Sequence, residues 1–215
     1  FWLPYYRRSL KDRCRGFFLY PGYKSSWGFY FLSGYHWCAP GLHTTLHLDY
    51  RYRRGLAYGL DGRFYIGDRG IGEWQTYYLK DKDFKGESDR KSKERYLTEL
   101  WYYHGFDYDI GTYLSIHYMS DSSVRRDFFR SEYDSDSQPD SYIFLNKRAN
   151  DWIVSLEVSP RLNRFYEVDE KLPEVQFDVK EIQLGESDFY YQGSNSFTSF
   201  KKKEEDESST AYHAD

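Results

Sequence analysis

The stretch His43–Tyr65, HTTLHLDYRYRRGLAYGLDGRFY, decides the fold. Taken two residues at a time, Leu46, Leu48, Tyr50 and Tyr52 fall on one side, and Thr45, His47, Asp49 and Arg51 on the other. A polar corner follows at Arg53-Arg54-Gly55. The alternation then resumes, with Leu56, Tyr58, Leu60, Phe64 and Ile66 against Ala57, Gly59, Asp61, Arg63 and Tyr65. Successive side chains of a strand point to opposite faces, so this period reads as strand. Two such runs joined by a short Gly-containing corner make an antiparallel hairpin. One face is apolar and aromatic; the other carries ionisable groups in mid-strand. A soluble sandwich with one wet face would show the same pattern, so the rest of the chain has to choose.

Composition narrows the choice. The 215 residues suffice for one sizeable domain. Aromatics make up 21%, with 24 Tyr and 16 Phe, while Ala is scarce; that mix favours strands over helices. The mean hydropathy of -0.87 and the lack of any long apolar run exclude a transmembrane helix. They do not exclude a transmembrane barrel, whose strands are apolar only at alternate positions. A net charge of -4, with basic and acidic residues interleaved, leaves no nucleic-acid footprint. The opening FWLPYY, without Met or a signal peptide, reads as the interior of a longer chain.

In chain order the sequence predicts strands at Gly16–Ser26 and Gly28–Cys38, turning near Ser25–Trp27, then the central hairpin and Glu73–Lys80. Further strands follow at Tyr96–Tyr103, Tyr108–Ser120, Tyr142–Arg148, Trp152–Val158, Val175–Leu184 and Phe189–Phe200, with another beginning after the charged run Lys201–Ser209. From Asp81 onward the connections run long, short, long, short, long, short, long. They are Asp81–Glu94, His104–Asp107, Asp121–Asp140, Ala149–Asn150, Ser159–Pro173, Gly185–Asp188 and the Lys201–Ser209 run. Within Asp121–Asp140, DFFRSEY can form a helical turn. In an up-and-down sheet alternate connections lie at the same end, so one end collects short turns and the other long loops. Outer-membrane barrels show that asymmetry, and a Greek-key sandwich has no reason to.

The strand faces agree. Ile110, Leu114, Ile116 and Tyr118 oppose Asp109, Gly111, Ser115 and His117, and Val175, Phe177 and Val179 oppose Glu174, Gln176, Asp178 and Lys180. A buried unpaired charge costs several kcal/mol, so the polar face is expected to be wet. The expected fold is all-β: an antiparallel up-and-down transmembrane β-barrel, incomplete, with about 11–12 meandering strands of the length such barrels use. His47, Asp49, Arg51, Asp61, Arg63 and Glu73 are the expected lumen-facing residues, pairing across strands as a ladder.

Four segments carry a resemblance: FWLPYYRRSL, GFFLYPGYKSSWGFYFLSGYHW, TTLHLDYRYRRGLAYGLDGRF and VRRDFFRSEYD. In that order they resemble the organic solvent tolerance proteins, the LptD family of LPS-assembly proteins of the Gram-negative outer membrane. The resemblance implies that residues 1–12 are the last strand of a periplasmic jellyroll and a linker, and that 13–215 are the N-terminal half of the barrel. It implies lipopolysaccharide as cargo, outer-membrane lipid as surroundings, an LptE-like lipoprotein plug, and a periplasmic LptA-like bridge reached through the jellyroll. It implies export through a lateral gate at the first barrel strand. Pro21 matches the first gate proline, since a proline gives no N–H to the ladder. The second falls near Gly34, where this chain departs from the family pattern. The basic connector Arg7, Arg8, Lys11, Arg13 and Arg15 lies where lipid A phosphates would pass, and Arg binds phosphate in bidentate fashion.

A hairpin turning about Ser26 sets Cys14 opposite Cys38, and the periplasm is oxidising, so a Cys14–Cys38 disulfide is expected below the gate. The six histidines, His36, His43, His47, His104, His117 and His213, are scattered without metal-site spacing, and no cofactor is expected. Gly67-x-x-Gly70-x-Gly72 is a turn, because no helix follows to hold a phosphate. No Ser sits in a nucleophile elbow, and the resemblance implies a transport protein and not an enzyme. The alternatives are another outer-membrane barrel, such as a porin-like channel, and a soluble Tyr-rich β-sandwich binding module.

Overall fold

Period-two alternation builds nearly the whole chain. The computed structural model describes residues 15–83, 93–166, 170–203 and 208–214, the part from 200 onward as backbone. The strands are β1 (Gly16–Lys24), β2 (Gly28–Ala39), β3 (Leu42–Arg51), β4 (Gly55–Ile66), β5 (Gly70–Lys80), β6 (Glu94–Phe106), β7 (Ile110–Met119), β8 (Tyr142–Arg148), β9 (Trp152–Ser159), β10 (Glu170–Gln183), β11 (Tyr190–Lys203) and β12 (Ser208–Ala214). Between β7 and β8 lie two short helices, α1 (Val124–Phe128) and α2 (Arg130–Ser135), where the sequence predicts one helical turn. All twelve strands form one antiparallel up-and-down sheet in chain order. Its edge strands, β1 and β12, are not paired with each other, so the sheet is not closed.

The central hairpin forms as expected. Leu46 faces Leu60 and Asp49 faces Ala57 across β3 and β4. Phe17 faces Tyr35 and Lys24 faces Gly28 across β1 and β2, which centres that hairpin on Ser26. Three boundaries differ from expectation. The β6–β7 turn falls at Asp107–Asp109, because Tyr108 and Asp109 take left-handed φ values of 63° and 55°. Two consecutive positive φ values match the twist of a hairpin, and here no glycine announces them. Pro173 lies inside β10, at a register shift between Lys171 and Glu174 where no ladder bond is needed from it. β11 runs on through Lys203, past the expected end at Phe200, and β12 begins at Ser208.

The chain divides into two units. The first comprises β1–β4, most of β5, the first half of β6, the end of β7 and the two helices. The second holds the rest of β6 and β7 with β8–β12. In the first unit the apolar faces are open: Phe17 is 87% exposed, Phe29 69%, Leu46 56%, Leu48 53%, Leu56 52% and Tyr58 53%. Toward the long-loop end the polar face is buried, with Asp49 at 5%, Arg51 at 3% and Ala57 at 0%, whereas Arg63 and Glu73 farther along it are about half exposed. This inverts a soluble core. It also corrects the expectation of a wet polar face: near the long-loop end of this unit, protein covers that face, and the charges are paired.

Aromatic rings fill the places of missing side chains on both faces. A Cβ on Gly34 would meet the Phe18 ring at 2.6 Å and the Leu46 carbonyl at 2.6 Å, and one on Gly62 would meet Trp74 at 2.7 Å. Such cross-strand glycine–aromatic pairs pin register.

In the second unit Val175 and Phe177 are 38% and 39% exposed. Ser115 and Asn146 on neighbouring strands are buried, and the Asn163 amide donates to the His117 carbonyl at 2.8 Å.

Candidate functional site

The residues between β7 and β8 fold back against the polar face of β3–β6. Asp121 begins the segment and accepts a hydrogen bond from the Ser123 backbone N–H at 3.1 Å, a local turn that starts α1. Val124 and Phe128 are then buried on one side of α1, and Arg125 is held by Glu99 and by the Asp136 carbonyl. The covering segment is thus built from its own sequence: a side-chain-stabilised turn, an apolar pair at i and i+4, and a buried arginine.

Arg95 is the centre of the contact. Its Nε and Nη2 donate to the two oxygens of Asp121 at 3.0 and 2.7 Å. Its Nη1 donates to Asp81 at 3.2 Å and to Asp127 at 2.7 Å, and Nη2 also reaches the Ser123 hydroxyl at 2.8 Å. All its N–H groups are thereby matched, which is what a fully buried guanidinium demands. Arg54 joins the same carboxylates, at 3.4 Å from Asp81 and bonded to Asp127. The Phe128 ring lies among three guanidiniums, 5.2 Å from Arg51 and 5.1 Å from both Arg54 and Arg95. Trp27 stacks on Phe128, donates its indole N–H to the Asp127 carbonyl at 3.1 Å and lies 4.4 Å from Arg51. Arg51 also donates to Asp49 at 3.3 Å and to the Tyr77 hydroxyl, which donates to Asp49 at 2.8 Å.

The two helices meet opposite electrostatics. Burial would raise the Asp121 carboxyl, but the Arg95 bond and charge, with the Ser123 and Ser120 hydroxyls, outweigh burial and hold it below its ordinary value. Glu132 on α2 is pushed up, first by burial and then by the charges of Glu99 and Asp61. One Glu132 carboxylate oxygen is buried without a hydrogen-bond partner among the described residues. The segment is therefore latched at α1, while α2 carries a carboxylate whose charged form burial disfavours.

The expected polar-face residues are brought together in pairs. His47 pairs with Asp61, Arg63 with Glu73, and Arg51 with Asp49. The first two pairs cross strands; the third lies within β3. Pro21 is exposed on edge strand β1, opposite Phe31. Gly34 is buried opposite Phe18 and His47, under the Phe18 ring, so its small size serves packing. Arg15 is exposed just before β1; Arg7, Arg8, Lys11 and Arg13, and with them the jellyroll strand, lie outside the described residues. Cys38 is disulfide-bonded, and the chain has two cysteines; the register of β1 and β2 is the one a Cys14–Cys38 bridge requires, although Cys14 lies outside the described residues.

The sequence reading missed the latch residues Arg54, Asp81, Arg95, Asp121, Asp127 and Phe128. The available signal was Arg95, which shares its period-two face with Leu97 and Glu99 once β6 is extended back to Glu94. Among the described residues no group of three or more His, Cys, Asp or Glu could hold a metal. The cluster binds itself, and its chemistry is that of a clasp. No protein-family model matches the chain, and no curated protein matches it.

Proposed function

We propose that the chain is a segment of an outer-membrane β-barrel that delivers lipopolysaccharide to the outer leaflet. The observation that carries the membrane part is the inverted first unit: Phe17, Phe29, Leu46, Leu48, Leu56 and Tyr58 are open while Asp49, Arg51 and Arg95 are buried and paired. So much contiguous apolar surface is rare on a soluble monomer and is what a hydrocarbon-facing strand presents. A single meander of strands in chain order also favours a barrel segment over a two-sheet sandwich.

The cargo rests on the resemblance of four ordered segments to the LptD family, and on Pro21. That proline stands on edge strand β1, where the ladder lacks one N–H. A strand weakened in this way is a reasonable seam for a lipid to pass. The LptE-like plug and the LptA-like bridge belong to the same proposal. In the first unit the helical segment already occupies part of the polar face, so a plug protein would have to sit elsewhere.

The test is site-specific photo-crosslinking. The protein, expressed at full length in a Gram-negative host, would carry a photoreactive residue at Phe17 or Leu19 on β1. More lipopolysaccharide adducts from β1 than from Leu56 on the lipid-facing side of β4 are the expected result. Equal labelling at both positions would remove the seam; no envelope fractionation would remove the membrane.

A further inference from the structure

Three carboxylates at the long-loop end of the first unit are drawn inward, away from its exposed cations. Asp81, Asp121 and Asp127 turn onto Arg54 and Arg95. Glu94 lies beside the Tyr78 hydroxyl. Lys24, Arg53, Lys80 and Lys82 are left exposed, and none is ion-paired with a carboxylate among the described residues.

The connections and strand ends bearing these four cations form a row along one end of β1–β5, where backbone bonds stitch the connections together. The Arg53 N–H donates to the Trp27 carbonyl at 2.9 Å, and its guanidinium donates to the Ser25 carbonyl at 2.6 Å. The Lys82 N–H donates to the Arg54 carbonyl at 2.9 Å. Two of the row lie on aromatic faces: the Lys24 ammonium is 4.4 Å from the Trp27 ring and the Lys82 ammonium 5.9 Å from the Tyr50 ring. Directly along the strands from the row stand open aromatics, Tyr23 at 61%, Phe29 at 69%, Tyr50 at 40% and Tyr52 at 66% exposure. Beyond them the apolar face continues through Phe31, Leu48, Leu56 and Tyr58.

We infer that this row is a standing binding surface for a phosphorylated lipid, its headgroup on Lys24, Arg53, Lys80 and Lys82 and its acyl chains along the apolar face of β1–β4. The inference deepens the membrane reading above and rests on it. Three features select that occupant. Ammonium and guanidinium groups without a carboxylate partner match phosphate oxygens. Tyr rings between charge and apolar surface match the interface between headgroup and acyl chain. The apolar strip continuous with the cations distinguishes a lipid from a free anion, which would use the charges alone. The latch supports the row indirectly. By drawing three aspartates onto Arg54 and Arg95, it withdraws the negative charge that would otherwise neutralise this end.

The experiment uses the full-length protein reconstituted in phosphatidylcholine vesicles with a trace of spin-labelled lipid, either phosphatidic acid or phosphatidylcholine. Electron paramagnetic resonance reads the share of each label held at the protein surface. The expected result is a few-fold preference for phosphatidic acid, falling toward parity in the combined K24Q, R53Q, K80Q and K82Q variant. The K24R, K80R and K82R variant, which keeps every charge, should retain the preference, and inorganic phosphate should not displace the label. If the fourfold variant fails to insert, Lys80→Gln and Lys82→Gln singly should each give a partial loss. A wild type without preference, or glutamine variants that keep it, overturns the row alone. A wild type that holds neither label overturns the membrane reading, and the row with it.

Discussion

Arg95 on β6 and Asp121 after β7 share a bidentate ion pair at 3.0 and 2.7 Å, out of solvent on both sides. A strand is thereby fastened to the segment that covers it. Removing one partner leaves the other as a buried charge without compensation, which typically costs about 3–5 kcal/mol. Arg95→Ala should therefore free residues 121–137. Limited proteolysis should cut the variant within that segment while the wild type resists. Cleavage at the same rate in both would mean that the pair does not hold the segment.

The same pair makes the latch acid-sensitive in a defined direction. Asp121 titrates below its ordinary value of 3.8 in the folded state. A depressed carboxyl contributes stability that is fully present above the unfolded value and is lost as pH falls through the folded one. Hydrogen-exchange protection of residues 121–129, taken relative to the intrinsic rate at each pH, should thus be flat from neutral pH down to the ordinary carboxylate range and fall only below it. Protection lost already near neutrality would contradict this.

Glu132 should behave in the opposite sense. Its folded value is raised above 4.5, so the folded state binds the proton more tightly and loses stability as pH rises through that window. Glu132→Gln should make α2 more protected than wild type at neutral pH, by clearly less than the Arg95 effect, and the gain should vanish in acid. Exchange rates of residues 130–135 in the two proteins at two pH values decide it.

Gly34 has no room for a methyl group, with the Leu46 carbonyl and the Phe18 ring both 2.6 Å from where a Cβ would stand. Gly34→Ala should destabilise by about 1–3 kcal/mol, the usual range for overpacking. Shortening the ring should not rescue it fully, because the carbonyl is backbone. A midpoint of denaturant unfolding in Gly34→Ala equal to wild type would show that β2 and β3 part easily here.

The apolar face offers a test of where the chain resides. Leu48 is 53% exposed on β3, one residue from buried Asp49. On a lipid-facing strand, Leu48→Arg should cost about 2–4 kcal/mol near the midplane and impair insertion. On a water-facing strand the same change would be nearly neutral. Folding yield into vesicles separates the two.

Local order was legible because strands write themselves into sequence at adjacent positions. The alternation of Leu46, Leu48 and Tyr50 with His47, Asp49 and Arg51 determined the faces, and the turn at Ser26 determined the β1–β2 register. The turn at Tyr108–Asp109 was not legible, since left-handed φ values at non-glycine residues leave no compositional mark. Nor was Pro173 within β10, whose bulge depends on neighbours on both sides. The deepest difference is the polar face. Sequence assigned its charges to one side and, pairing them only with near neighbours, expected water there. The tertiary structure brought Asp81, Asp121 and Asp127 to Arg95 from separations of 14, 26 and 32 residues. Partners that distant have no periodicity to betray them; a folded-back segment alone brings them into contact, and the low-dielectric contact then makes each pairing obligatory.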